Sequence, residues 1–158
     1  IDFIKKDWML IDAKKIFIEN SFDFQLETIG IYDNFKLVEL ACNILINKLL
    51  KILSLLSEDS ELIYSSNDTL DNCYIIKLLN EDYTIGKILE YYFYENYFKN
   101  NTTLKYVGFL KKHPHDNFSI IKLSFKEMTN NEAIITMIQQ AVDNSILLIN
   151  SIKQYFTR

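Results

Sequence analysis

The apolar and polar positions divide the chain into stretches of different period. Residues 1–19 carry two apolar runs, Trp8-Met9-Leu10-Ile11 and Ile16-Phe17-Ile18, separated by Asp12-Ala13-Lys14-Lys15. Two short runs about a polar tetrapeptide predict a hairpin. Phe22, Phe24 and Leu26 then alternate with Asp23, Gln25 and Glu27. That is the period of a half-buried strand over 22–30, stopped by Gly30 and Asp33-Asn34. From Phe35 to Leu56 the period is helical. Lys36, Glu39, Asn43, Asn47, Lys51 and Ser54 make one polar stripe, with Lys48 beside it, and nearly everything else is apolar. An ordinary surface helix buries one stripe. Helix 35–56 is therefore expected to be covered on two sides, by its own sheet and by something else.

Residues 57–72, with Ser65-Ser66-Asn67-Asp68 near their end, read as a polar connector, and Leu62-Ile63-Tyr64 within them as a short pairing segment. The pattern that follows predicts a buried strand over 73–80 and a helix over 84–99, capped by Asp82 or Thr84. Strands follow over 104–110 and 118–126, the second setting Ile121, Leu123 and Phe125 against Ser119, Lys122 and Ser124. Thr129-Asn130-Asn131-Glu132 has the form of a capping box and opens a helix to about Phe156. Its core-facing stripe is Ile134, Ile138, Ala141, Leu148, Ile152 and Phe156. Long helices and strands in this order predict an α+β fold, an antiparallel sheet packed against long helices.

Composition narrows the function more than the fold. Three Gly and one Pro weigh against a loop-rich or sandwich architecture. With 17 basic against 21 acidic residues the formal charge is −4, which argues against a large phosphate-binding surface. The best basic cluster, Lys111, Lys112, His113 and His115, is small, so no direct nucleic-acid site is expected. Cys42 and Cys73 form no CxxC pair, which suits a reducing compartment. The apolar runs are broken by Lys, Asn or Glu and no signal peptide is visible, so no membrane association is expected. The chain begins with Ile, and the expectation is a fragment of a longer protein.

His113-Pro114-His115-Asp116 is the one cluster with a metal-like look. A structural zinc site takes four ligands and a catalytic one three, and Cys42 and Cys73 sit in apolar segments. A turn rigidified by Pro114 is the better reading, with no metal and no cofactor. The three glycines are isolated, so no phosphate loop is formed, and no motif pairs a nucleophile with a base. No catalytic residue is expected.

Two segments resemble one family. Asn80-Glu81-Asp82-Tyr83-Thr84-Ile85-Gly86-Lys87-Ile88-Leu89 is similar to the N-E-D-H-T-L-G-N-x-L signature of the small RNA polymerase subunit called L in archaea and the eleventh in eukaryotes. Val107-Gly108-Phe109 and Lys112-His113-Pro114 fall where that family has its A-G-Y-like strand end and its P-H-P. Order and spacing agree across 73–157. Phe22-Asp23-Phe24-Gln25-Leu26-Glu27-Thr28-Ile29-Gly30, followed by a long helix, is similar to the partner subunit, D or third, where F-x-F-x-V-E-S-x-G leads into the dimerisation helix. Tyr83 stands at the family's His, Lys87 at its Asn, Glu90 at its Arg and Lys112 at its first Pro.

Both signatures in one chain resemble the fused D/L-type subunit of an asfarvirus-like large DNA virus. The resemblance implies an alpha-subunit-like dimerisation fold. Residues 1–56 would be the end of a D-like half, 57–72 the connector, and 73–158 an L-like half. It also implies a non-catalytic assembly subunit of a viral DNA-directed RNA polymerase, working in transcription in the host cytoplasm (viral factory) and virion. Its partners would be the largest and second-largest subunits. The two halves would pair within the chain through Leu37, Leu45, Leu49, Leu53, Ile85, Gly86, Leu89, Tyr92, Phe93, Ile138 and Leu148, and the isolated fragment would self-associate. Gly86 would allow close approach to a neighbouring helix, and Tyr91, Tyr94 and Tyr97 suit the wet rim of an interface. The alternatives are an unrelated α+β interaction or adaptor domain, and a small metal-dependent hydrolase using His113 and His115.

Overall fold

A computed structural model of the chain describes residues 1–66, 70–100 and 103–157. Asn67 and Asp68 of the expected connector lie outside the described residues. The chain forms two compact units, Ile1–Asn34 and a second from Phe35 onward.

The first unit opens with a helix, α1 (Asp2–Leu10), and a 3-10 turn at Ala13–Lys15. This corrects the expected hairpin over 1–19. Ile1, Ile4, Lys5 and Trp8 line one cleft, and their spacing of three to four is helical, a period that overrides the two apolar runs. Residues 22–30 form no strand either. A strand is held by a partner's backbone, and in this unit that stretch is tied by side chains instead. The Asn34 side-chain amide donates to the Leu26 carbonyl at 2.9 Å, and the Thr28 hydroxyl to the Tyr32 carbonyl at 2.6 Å. No side chain of the unit is buried.

The second unit is α+β, built on a four-stranded antiparallel sheet. α2 (Asn34–Glu58) leads through a 3-10 turn at Ser60–Leu62 into β1 (Ile63–Ser66), so the expected polar connector 57–72 is partly ordered structure. Then come β2 (Cys73–Leu79), α3 (Tyr83–Phe93), β3 (Leu104–Leu110), β4 (Phe118–Phe125) and α4 (Asn131–Gln154). The expected helix 84–99 is α-helical only to Phe93. From Tyr94 to Lys99 it widens into a π-helical turn. The strands run in the order β1-β2-β4-β3, with Ile63 opposite Ile76, Ile76 opposite Ile121, and Ile121 opposite Phe109.

Alternation along the strands gives the sheet two unlike faces. On one, Ile63, Ile76, Leu78, Ile121, Leu123 and Phe125 join Leu49, Ile52 and Leu56 of α2 in a single core. Ile85, Leu89 and Phe93 of α3 and Ile134, Ile138 and Val142 of α4 belong to the same core. Ser119 shares that inner face, two residues from Ile121, rather than the outer face with Lys122. Its hydroxyl is buried without a hydrogen-bond partner among the described residues. On the outer face the Lys77 ammonium lies 4.5 Å from the centre of the Phe118 ring.

α4 is capped by Asn130, whose side chain accepts the Ala133 N–H at 2.9 Å, and not by Thr129. Asn ranks above Thr as an N-cap, and the Thr129 carbonyl accepts the Tyr74 hydroxyl. The buried stripe of α4 runs Ile134, Ile138, Ala141, Ser145 and Ile149. Leu148 and Ile152, expected in the core, are instead 50% and 43% exposed. Ile149, beside them, is buried, so cover reaches only part of the apolar surface in the last turns of the helix.

Candidate assembly surface

The segment Asn80–Leu89 has a physical task at nearly every polar position. Asn80 takes a left-handed conformation, φ 55°, which Asn tolerates better than most residues. That turn sends Glu81 inward, where it is 7% exposed and its carboxylate accepts from the Lys48 ammonium of α2 at 3.0 Å. Asp82 then caps α3, accepting the Thr84 N–H at 3.2 Å. Gly86 leaves room for the ring of Phe109, which lies where a β-carbon would stand. The close neighbour is thus a strand side chain of β3 and not the expected helix. Phe109 is also held by its backbone, its N–H donating to Glu90 at 2.9 Å, and by the edge of Tyr83 at 5.3 Å between ring centres.

α2 is anchored at several points. Besides Lys48–Glu81, its Asn43 accepts from the Lys153 ammonium of α4 at 2.7 Å, and Phe35 packs on Phe156 at 5.9 Å. Helix 35–56 therefore packs with the end of α4. By length and composition α2 is also apolar enough to cross a membrane. The ion pair to the buried Glu81 carboxylate and the burial of Leu49, Ile52 and Leu56 tie one side of it to the core of this unit.

The residues named from the sequence separate into three groups. Leu49, Ile85, Gly86, Leu89, Phe93 and Ile138 are buried in the unit's own core, so they hold α2, α3 and α4 together and face no outside partner. Leu37 is half-buried, and Leu45, Leu53 and Tyr92 are half-buried against the core, with the Tyr92 hydroxyl donating to the Asn144 carbonyl at 3.2 Å. Leu148 alone is well exposed. Of the rim tyrosines, Tyr91 and Tyr94 are exposed, but Tyr97 is buried, its hydroxyl donating to Gln140. Burial raises the pKa of Tyr97, and burial together with neighbouring Tyr91 raises that of Tyr92.

Exposed apolar side chains remain on both α2 and α4. Leu147, Leu148 and Ile152 of α4 and Ile44 and Leu50 of α2 are all between 43% and 68% exposed. Periodicity placed Leu148 and Ile152 on the core stripe and gave no warning that they would stay half-exposed. Ile44 and Leu50, which flank the polar stripe of α2, were visible in the sequence only as part of its broad apolar surface.

The loop around Pro114 is a local turn, with the His115 N–H donating to His113 Nδ1 at 3.2 Å and the Asp116 N–H to the His113 carbonyl at 3.1 Å. Among the described residues no three His, Cys, Asp or Glu side chains converge on a metal-sized site. No protein-family model matches the chain, and no curated protein matches it.

Proposed function

We propose that the chain is a non-catalytic assembly subunit of a viral DNA-directed RNA polymerase, with an alpha-subunit-like dimerisation fold on which the large catalytic subunits dock. The observation that carries this reading is the end of α4. Leu148 and Ile152 continue the apolar pattern of the core stripe but stay 50% and 43% exposed, on the stretch of α4 joined to α2 through Asn43 and Phe35. A helix face patterned for burial and left half-exposed is a surface that a partner completes. The resemblance of Asn80–Leu89 to the small polymerase subunit supplies the identity of the partners, and the roles of Asn80, Glu81, Asp82 and Gly86 in this chain agree with a structural motif rather than a catalytic one.

Co-expression with the largest and second-largest polymerase subunits of the virus tests the proposal. The chain is expected to co-purify with them. The double variant Leu148→Lys, Ile152→Lys is expected to weaken the complex at least tenfold, because each side chain forfeits about 1 kcal/mol or more of apolar burial. Wild-type chain that fails to co-purify sinks the proposal.

A further inference from the structure

β3 is an edge strand, paired with β4 on one side only. In an antiparallel ladder, facing residues alternate between pairs that exchange hydrogen bonds and pairs whose N–H and C=O point away. The Phe109 N–H donates to Glu90 and not to β4, so the Phe109–Ile121 pair is of the second kind. Two residues back, Val107–Leu123 is of the same kind. Continuation of the ladder on the far side agrees, since Asn80 and Phe125 bond across to Asn117 and Asn72 in the complementary phase. Val107 therefore turns both its N–H and its C=O outward from the sheet.

Above that window α3 overhangs the edge. Lys87, Glu90, Tyr91 and Tyr94, with Val107 as the floor, line an open cleft of about 290 Å³. Its charges are already matched, because the Lys87 ammonium lies 2.5 Å from one Glu90 oxygen while the other accepts the Phe109 amide. What remains to be satisfied, among the described residues, is the outward N–H and C=O of Val107, beside the sides of Tyr91 and Tyr94 not already packed on Tyr92 and Phe98.

We infer that this cleft takes a short extended peptide segment of a partner protein as an added strand on β3. An extended backbone supplies an acceptor and a donor at the spacing Val107 presents, and the alternate side chain of such a strand falls beneath the helix. That side chain is uncharged and apolar, since Lys87 and Glu90 neutralise each other. The window is short. A bulge between Leu104 and Tyr106 interrupts the edge on one side, and Glu90 holds Phe109 on the other. A second copy of this chain fits less well, because a two-fold pairing centred on Val107 sets Phe109 against Lys105 at the bulge. This site shares no residue with the exposed apolar positions of α2 and α4 and does not depend on the polymerase reading.

The test uses the whole chain and a random peptide display library. Selected peptides are expected to share an alternating apolar pattern and to shift the NMR signals of Val107, Tyr91 and Tyr94. N-methylation of a peptide's bonding amides is expected to abolish binding. Val107→Pro, which removes the outward donor at a position where edge strands tolerate proline, is expected to weaken binding about tenfold. Absence of enriched peptides, binding that survives N-methylation, or signals that move elsewhere would overturn the inference. So would a dimer, seen by light scattering, that disappears in Val107→Pro. If that variant fails to fold, the N-methylated peptides decide alone.

Discussion

Gly86 shows how a small residue fixes a contact. Replacing it with Ala gains about 1 kcal/mol of helix propensity but drives a methyl into the Phe109 ring, and overpacking costs roughly 1–3 kcal/mol. Gly86→Ala is expected to lower stability in urea denaturation, and Phe109→Ala in the same chain to abolish that penalty. An unchanged midpoint for Gly86→Ala would mean that the ring moves freely. Tyr97 makes a second case. Its pKa is raised by burial, so between the unfolded value of about 10 and the higher folded value the unfolded chain has lost a proton that the folded chain keeps. The stability from this group is complete below pH about 10 and falls as pH rises through the folded value. Alkaline titration followed by circular dichroism is expected to show unfolding setting in there. In Tyr97→Phe the loss of stability with rising pH is expected to be shallower, at the expense of about 1 kcal/mol from the hydrogen bond to Gln140.

At the scale of elements, the placement of α2 is the main result. Lys48 and Glu81 are far apart in sequence and bind α2 to the turn before α3. Lys48→Met leaves the Glu81 carboxylate nearly buried without its cation, and a loss of about 1–2 kcal/mol is expected. Adding Glu81→Leu is expected to restore part of it, since removing both charges avoids the stranded one. Chemical denaturation of the two variants measures this, and a double variant no more stable than the single one would count against it. Most elements of the second unit were legible from periodicity. β2, α3 as far as Phe93, β3, β4 and α4 lie within a few residues of their expected limits, because each alternates or repeats cleanly against the core. The hairpin over 1–19 and the strand over 22–30 were not, because a period-two pattern describes a strand only where another strand accepts its hydrogen bonds.

For the whole molecule, the exposed apolar side chains of α2 and α4 predict behaviour in solution. The purified chain is expected to self-associate, and Ile44→Lys with Leu148→Lys to shift it toward monomer without lowering its thermal midpoint, since both side chains are already exposed. Light scattering after size exclusion checks this, and a wild-type monomer at high concentration contradicts it. The candidate surface was only partly legible. Leu49, Ile85, Leu89, Phe93 and Ile138 carry the apolar character of an interface, and in the structure they serve the unit's own core. Leu148 is apolar in the pattern, but its exposure depends on which segments pack over it, which no local pattern encodes.

The amino-acid sequence by itself determined the α+β class, the long apolar helix from residue 35 and a cap for α3 at Asp82 or Thr84. These follow from local spacing, chain stereochemistry and residue type. Tertiary structure decided which apolar faces find cover. It gave Glu81 its cation, set Phe109 over Gly86, turned Ser119 inward and left Leu148, Ile152 and the outward backbone of Val107 open. Burial and hydrogen bonding are settled between segments distant in the chain, whereas periodicity records only that a face is apolar, not what will lie against it.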